Sequence, residues 1–228
     1  MLLKYFLALF IFTNVFAFRL SPLSHTIILG KNKNTVIYQV TNNTKSPMAL
    51  EASVTKRIMD KDGSEKLPPP DKDTFIVYPS QLILKPKEKR GIKVTWLGAK
   101  DIKEELSYRL KIEQLPIDFE KKDKTGIKIL MRYLGALYVS SSKFTPKVVL
   151  KSITEKSDDL IFTVANEGTS HKLLKKLKIV TKNETIESEV LKDFSGENLL
   201  SKSEREFSVK RELFKKRPIV KEVSLVYE

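Results

Sequence analysis

Short runs of alternating apolar and polar residues, separated by turn residues, recur along this chain and restrict it to a β fold. Alternation with a two-residue period is typical of strands that bury one face. About eight such runs lie between residues 18 and 139, among them 35–41, 91–96 and 107–114, with no convincing helical period beside them. Regular spacing of short strands is typical of a β-sandwich.

The strand pattern pauses at residues 141–146, where Ser, Lys, Thr and Pro predict a linker, and then starts again. Short strand-like runs, with turn residues between them, continue toward the end of the chain. We therefore predict an all-β protein with two β-sandwich domains. The first comprises residues 18–140 and the second comprises residues 147–228.

The first seventeen residues have the three parts of a secretory signal peptide. Lys4 supplies a short basic region, and residues 5–12 supply an apolar region. Val15 and Ala17 lie at the positions where signal peptidase requires small residues. A membrane anchor is the alternative, but the apolar run is short for a bilayer span and ends in polar residues. We expect cleavage near Ala17 and a soluble, secreted chain.

The composition limits how the domains can be stabilised and which partners the protein can bind. The chain has no cysteine, so its domains must be stable through apolar burial without disulfides. Its formal net charge is +14, but the lysines alternate with apolar residues, as in 147–151 and 176–182, instead of clustering with exposed aromatic residues. We therefore predict no nucleic-acid partner, although a basic surface favours an acidic partner or an anionic membrane surface.

No group of residues in the sequence predicts catalysis. His25 and His171 each lack a second ligand at suitable spacing, so we expect no metal site. The chain has no glycine-rich phosphate loop and no nucleophile elbow. The pair Glu104–Glu105 is better explained as a charged turn before a strand than as an acid–base pair. We predict a protein that is not an enzyme, uses no cofactor and binds through its strands.

One run, residues 124–139, is longer than the others and is apolar on both faces. Odd positions carry Ile127, Ile129, Met131 and Tyr133, and even positions carry Lys128, Leu130, Arg132 and Leu134. Either both faces are covered within the fold, or one face is kept for a partner. Periodicity alone favours a central core strand. An exposed apolar edge strand is an aggregation hazard, so a soluble protein should keep one only for a partner.

Several short motifs lie in an order that is found in one family. A strand-to-turn motif, a proline-bounded loop, a Glu-to-Pro strand and an Asn-x-Gly turn lie at 38–47, 78–94, 104–116 and 166–171. Together with residues 18–22, they resemble the periplasmic pilus chaperones of Gram-negative bacteria, the PapD-like family. The chain departs from the family pattern at Lys87, where glycine is usual, and lacks a proline near residues 140–142. We interpret it as a divergent member.

The resemblance implies two immunoglobulin-like domains in an L-shaped arrangement. It also implies that the strand around 126–139 is lent to a fibre subunit that lacks its own last strand, a mechanism called donor-strand complementation. The donor residues would be Ile127, Ile129, Met131 and Tyr133. Leu130 and Leu134 would face the protein's own core.

The resemblance further implies two basic residues, in the cleft between the domains, that bind the terminal carboxylate of the subunit. Arg132 is our candidate on the long strand, since arginine pairs bidentately with carboxylates, although an interdomain salt bridge would explain it equally well. On the first strand, His25 or Arg19 could substitute for the family's arginine. Glu104 resembles a family residue that helps to fix the interdomain angle.

We therefore expect a periplasmic chaperone that binds pilus or fibre subunits and acts with an outer-membrane usher. The free protein could associate with itself through the donor strand. The alternative is an extracellular structural or adhesive β-sandwich protein, in which the long strand would be buried. Stable insertion into a membrane is not expected, because no run after the first is long enough to span one.

Overall fold

The computed structural model describes residues 18–30, 34–117, 119, 129–176, 178–182, 185–186, 197–216 and 218–227. The predicted signal peptide at 1–17 and the donor candidate Ile127 lie outside these residues. Among the residues that are described, no helix is long and apolar enough to cross a membrane.

The amino-terminal part of the chain folds into short strands, as its alternating sequence predicts. In order they are β1 (Phe18–Ser21), β2 (Ser24–Leu29), β3 (Thr35–Asn42), β4 (Met48–Lys56), β5 (Ile58–Met59), β6 (Glu65–Lys66), β7 (Phe75–Tyr78), β8 (Gln81–Leu84), β9 (Lys89–Trp96), β10 (Leu106–Gln114) and β11 (Arg132–Ser141). Strand β11 contains residues 132–139 of the long apolar run, and residues 129–131 of that run are described but precede the strand.

Two sheets form the amino-terminal sandwich. One has the strand order β1-β3-β9-β7, and the other has the order β2-β11-β10-β4-β8. Alternate residues of each sheet point inward and share one apolar core. Tyr38, Ile92 and Val94 come from the first sheet and Leu110 and Leu137 from the second, and each is completely buried. This arrangement places β11 between β2 and β10.

The carboxyl-terminal part is also built from strands. They are β12 (Val148–Lys156), β13 (Asp159–Asn166), β14 (Lys172–Leu174), β15 (Lys178–Val180), β16 (Thr185–Ile186), β17 (Glu197–Leu199), β18 (Glu204–Lys210) and β19 (Ser224–Val226), with short 3₁₀ helices at Arg211–Leu213 and Val220–Glu222. The sheets have the orders β12-β13-β18, β16-β15-β19 and β14-β17. A second apolar core forms around Leu160, Phe162 and Phe207. The prediction of an all-β protein is confirmed.

A buried asparagine holds a turn in each part of the chain. The amide of Asn42 donates to the carbonyl oxygens of Ser46 (2.9 Å) and Leu84 (3.1 Å). The amide of Asn166 donates in the same way to the carbonyl oxygen of Ser170 (2.8 Å). Both asparagines are almost completely buried, and buried polar groups need hydrogen-bond partners. This explains the asparagines in the strand-to-turn and Asn-x-Gly motifs.

The turn before β9 contains Lys87 at the position where glycine is expected. Lys87 has a φ of 63°, in the left-handed region that glycine adopts at low cost. Its backbone N–H donates to the carbonyl oxygen of Asn42 (2.9 Å), and its Nζ donates to that of Asn43 (2.7 Å). The turn therefore keeps a glycine-like backbone conformation although the residue is lysine.

Candidate functional site

Strand β11 is paired on both sides along only part of its length. On one side it pairs with β10 from Arg132 to Val139. On the other side β2 runs parallel to it and pairs only with Ala136 to Ser141. Within the described part of the chain, the β11 edge at residues 132–135 therefore has no strand beside it. Such an edge presents backbone N–H and C=O groups that another chain can pair with.

The core-facing side of β11 becomes more exposed toward the start of the strand. Leu137 and Val139 are completely buried. Tyr133 and Met131 are partly buried against the same core, with the Tyr133 ring packed edge-on against Phe18 at a centroid distance of 4.8 Å. Ile129, which precedes β11, is 75% exposed. The apolar side chains at alternate positions therefore become more exposed toward and beyond the start of the strand.

The opposite side of β11 faces outward. Leu130 and Leu134 are 43% and 38% exposed, so the expectation that they face the core is wrong. Side chains alternate between the two faces of a strand. Because Leu137 and Val139 point into the core, the even-numbered residues must point away from it. The sequence could not reveal this, since the run is apolar on both faces.

The three basic residues predicted to bind a carboxylate lie apart. Arg132 is opposite Glu113 on β10, and its Nε and Nη2 both lie 2.5 Å from Glu113 Oε1. His25 donates from Nε2 to the carbonyl oxygen of Ile37 (2.9 Å) and lies beside Leu137 in the register. Arg132 and His25 are thus five residues apart along the register, or about 16 Å. Arg19 is on β1, in the other sheet.

A different basic group lies on the outward face of the five-stranded sheet. The carboxylate of Glu65 contacts Arg57 Nη2 at 2.5 Å and Arg109 Nη2 at 2.6 Å, and it also accepts from Arg109 Nε at 2.9 Å. Arg57 Nη1 lies 3.4 Å from the Tyr138 hydroxyl, and the buried Arg57 Nε has no hydrogen-bond partner among the described residues. Two guanidinium groups therefore share one carboxylate beside β11.

The charges of this group shift its pKa values. Burial by itself would raise the pKa of Glu65, but its hydrogen bond to Arg109 and the charge of Arg57 outweigh burial and lower it. Burial, followed by repulsion from Arg109, lowers the pKa of Arg57. This group could not be predicted from the sequence, because Arg109 is far from Arg57 and Glu65 along the chain and meets them only through strand pairing. The one available signal was Arg109 within the Glu-to-Pro strand motif.

The two sandwiches contact each other next to this group. The carboxylate of Glu105, which is 6% exposed, accepts from the backbone N–H of His171 at 3.0 Å and contacts its ring Nδ1 at 2.5 Å. The His171 ring stacks on Tyr138 at 3.9 Å, and Asn198 donates to the Tyr138 hydroxyl. Glu105 thus makes a contact between the sandwiches, while its neighbour Glu104, for which the resemblance implied an interdomain role, is half-buried.

A second interdomain contact involves the turn between β5 and β6. Lys61 forms an ion pair with Glu204 at 2.8 Å, and its carbonyl oxygen accepts from the backbone N–H of Glu206. Gly63 has a φ of +90°, and a Cβ added to it would lie 2.1 Å from Arg205 Nη2. Glycine suits this position because of its backbone conformation, and a side chain there would also require the Arg205 guanidinium to shift.

Among the described residues, no cluster of three or more His, Cys, Asp or Glu could hold a metal ion. The features that stand out are an open edge of β11, exposed apolar side chains at and before its start, and a basic group near the interdomain contact.

Comparison with known families identifies the fold family. A family model described as pili and flagellar-assembly chaperone, PapD N-terminal domain, matches residues 20–139, which is more than half of the chain. The chain belongs to this pilus chaperone family. The resemblance found from the motifs is confirmed. No curated protein matches the chain in a sequence comparison.

Solved structures of pilus chaperones share the fold of this family member. A chain of the CsuC–CsuE chaperone–tip adhesion subunit complex, from the archaic Csu pili of Acinetobacter baumannii, is 17% identical with a TM-score of 0.63, covering 85% of this chain and 88% of that one. The class 5 fimbriae chaperone CfaA is 14% identical with a TM-score of 0.59, covering 93% and 99%. A chain of the Salmonella enterica SafA pilin–SafB chaperone complex is 13% identical with a TM-score of 0.57, covering 87% and 86%.

At these identities the likeness establishes the fold alone. It confirms the predicted class of two immunoglobulin-like β-sandwich domains for this pilus chaperone family member.

Proposed function

We propose that this protein is a periplasmic chaperone that holds a pilus or fibre subunit by donor-strand complementation through the strand around 126–139. One observation carries the proposal. Tyr133 and Met131 are only partly buried, Ile129, three residues before β11, is 75% exposed, and the adjacent edge of β11 has no neighbouring strand among the described residues. An apolar row next to an open edge is what β-strand addition requires.

The two properties of β11 serve different purposes in this mechanism. Backbone groups at residues 132–135 hydrogen-bond to a strand of the subunit and provide affinity that does not depend on sequence. Ile129 and Met131, together with Ile127 outside the described residues, enter the subunit's core and select its register. Complete burial of an isoleucine side chain contributes about 1.5–3 kcal/mol. Tyr133 contributes to the chaperone's own core as well as to this row.

The terminal carboxylate of the subunit fits Arg57 and Arg109 better than the pair predicted from the sequence. Among the described residues these two arginines share one carboxylate, so one positive charge of the group is not balanced by Glu65. They also lie beside Tyr138 and the interdomain contact, where the family resemblance expects the anchor. Arg132 faces Glu113 at the far end of β11 and would contact the subunit there, while His25 and Arg19 have no part in the proposed anchor.

The proposal also includes secretion to the periplasm and delivery of the subunit to an outer-membrane usher. These steps are supported by family membership and by the signal-peptide pattern at residues 1–17. Self-association of the free protein through β11 is a consequence of the same open edge.

The test compares two adjacent residues on opposite faces of the strand. Ile129→Asp places a charge in the proposed donor row, and Leu130→Asp places the same charge on the outward face. Each variant is co-expressed with a fibre subunit encoded beside it, and co-purification of the subunit is measured. We expect Ile129→Asp to abolish capture and Leu130→Asp to retain most of it, with circular dichroism unchanged in both. Equal capture by the two variants contradicts the donor-row assignment.

A further inference from the structure

The outward face of the sheet β1-β3-β9-β7 carries a second exposed surface, distant in the fold from the donor strand. Pairing registers align its outward residues in four rows across the sheet. The residues are Arg19, Ser21, Thr35, Ile37, Gln39, Thr41, Ile76, Tyr78, Lys89, Gly91, Lys93 and Thr95. We call this set the basic sheet face.

The basic sheet face combines exposed apolar side chains with cations. Ile37, Ile76 and Tyr78 are 54%, 50% and 71% exposed. Ile37, Lys93 and Tyr78 lie side by side in one row of the register. Contiguous exposed apolar side chains on a soluble protein usually mark an interaction surface.

The charge of this face is unbalanced. Arg19, Lys89 and Lys93 are its charged residues, and none of its twelve outward strand positions, all of them described, carries a carboxylate. The nearby Glu88 contacts Arg90 and the backbone N–H of Lys85. The outward face of the other sheet differs, because it carries the carboxylates of Glu65 and Glu113 beside its arginines. The partner of the basic sheet face should therefore be anionic.

We propose that the basic sheet face binds an anionic lipid surface. The exposed apolar side chains of this face lie beside its cations, which suits shallow insertion at the level of lipid headgroups. An exposed tyrosine is favoured at that level because its ring is apolar and its hydroxyl is polar. The net charge of +14 attracts the whole molecule to the same surface. A second copy of this chain is a poor occupant, since it would bring like charges together.

This surface lies on the sheet opposite to the one that contains β11, so the proposal does not depend on donor-strand complementation. It assigns the protein a location, the surface of an anionic membrane. A chaperone held loosely at an anionic membrane surface would meet subunits as they leave that membrane.

The experiment measures sedimentation of chain 18–228 with lipid vesicles, because residues 1–17 are apolar enough to bind lipid themselves. Vesicles of phosphatidylcholine alone are compared with vesicles that contain roughly one third phosphatidylglycerol. We expect binding only to the anionic vesicles, and its loss at an ionic strength of about 1 M, where the Debye length is about 3 Å.

Variants locate the surface. Each lysine close to an anionic membrane strengthens partitioning roughly five-fold, so Lys89→Gln with Lys93→Gln should weaken it about twenty-five-fold. Lys156→Gln with Lys175→Gln removes the same charge from exposed positions of the second sandwich and should change it by about two-fold or less. Ile76→Ser with Tyr78→Ser should also weaken binding, whereas Ile83→Ser, at an apolar residue 56% exposed on the other sheet, should not.

Three results would overturn the proposal. The first is equal binding to neutral and anionic vesicles, and the second is equal loss in the two lysine pairs, which would mean that only net charge matters. The third is normal vesicle binding by Lys89→Gln with Lys93→Gln together with loss of an acidic protein partner. Thermal unfolding of each variant checks its fold, and the lysine pair alone decides the outcome if the Ile76 and Tyr78 variant does not fold.

Discussion

Replacing Glu65 by glutamine should destabilise the first sandwich, because Glu65 is the carboxylate shared by Arg57 and Arg109. Its oxygens lie 2.5 and 2.6 Å from the two guanidinium groups, and the Arg57 side chain is only 5% exposed. Removing one partner of a buried ion pair costs about 3–5 kcal/mol. Glu65 is 20% exposed, and glutamine keeps one acceptor oxygen, so we expect about 2–3 kcal/mol of lost stability.

The assay is urea unfolding, followed by far-ultraviolet circular dichroism and by the fluorescence of the single tryptophan, Trp96, in the core of the first sandwich. In thermal unfolding the same loss should lower Tm by about 4–10 °C. The matched control is Glu222→Gln, which removes a carboxylate from an exposed pair with Lys182 and should have a much smaller effect.

The pH dependence of the unfolding free energy provides a second test of the contacts between Glu65 and its two arginines. The folded state lowers the pKa of Glu65, so its contribution to stability is complete above the pKa of the unfolded chain and is lost as pH falls through the folded-state value. The wild-type protein should therefore lose more stability on acidification than Glu65→Gln does. If the variant is as stable as wild type at neutral pH and shows the same acid dependence, our description of the basic group is wrong.

Two backbone predictions follow from residues with positive φ. Lys87→Gly should stabilise the first sandwich by about 0.5 kcal/mol, because a φ of 63° is strained for lysine. Urea unfolding of this variant should show a higher midpoint. A lower midpoint would mean that the lost contact between Lys87 and Asn43 outweighs the strain. Gly63→Ala should destabilise the protein by about 1–3 kcal/mol, because φ is +90° and the new Cβ meets Arg205 Nη2. Wild-type stability in Gly63→Ala would show that the interdomain turn tolerates a side chain.

The class of the fold could be predicted from the sequence because most strands bury one face. The run 91–96, for example, forms most of β9, with alternate residues buried. The asparagines of two motifs are buried and stabilise turns through their side-chain amides. Alternation of apolar and polar residues predicts both where a strand lies and which of its side chains point into the core. The family could be recognised for the same reason, since its motifs mark turns and strand ends.

The faces of β11 could not be predicted in the same way. Its run is apolar on both sides, so no period distinguishes core from surface, and Leu130 and Leu134 were assigned to the wrong face. The expected donor row, in contrast, followed from the family resemblance and still awaits a test. Only the pairing of Leu137 and Val139 with the core fixes which residues point outward.

The charged contacts depend on the register of strand pairing, which cannot be inferred from the sequence alone. Arg57, Glu65 and Arg109 meet because β10 pairs with β4 and the turn beyond β4 folds back. Glu104 and Glu105 are adjacent and equivalent in the sequence, but only Glu105 is directed toward His171 and the second sandwich. A shift of one residue exchanges the two faces of a strand, so motif matching alone cannot choose between neighbours.

Hydrogen exchange along β11 tests the central claim most directly. In the free protein we predict rapid exchange for amides on the open edge at residues 132–135 and slow exchange at 136–141, where β2 covers the strand. Addition of the fibre subunit should protect the open-edge amides at 132–135 and leave 136–141 unchanged. Slow exchange of these open-edge amides in the free protein, or no change when the subunit binds, would contradict the proposal that β11 is lent to a partner.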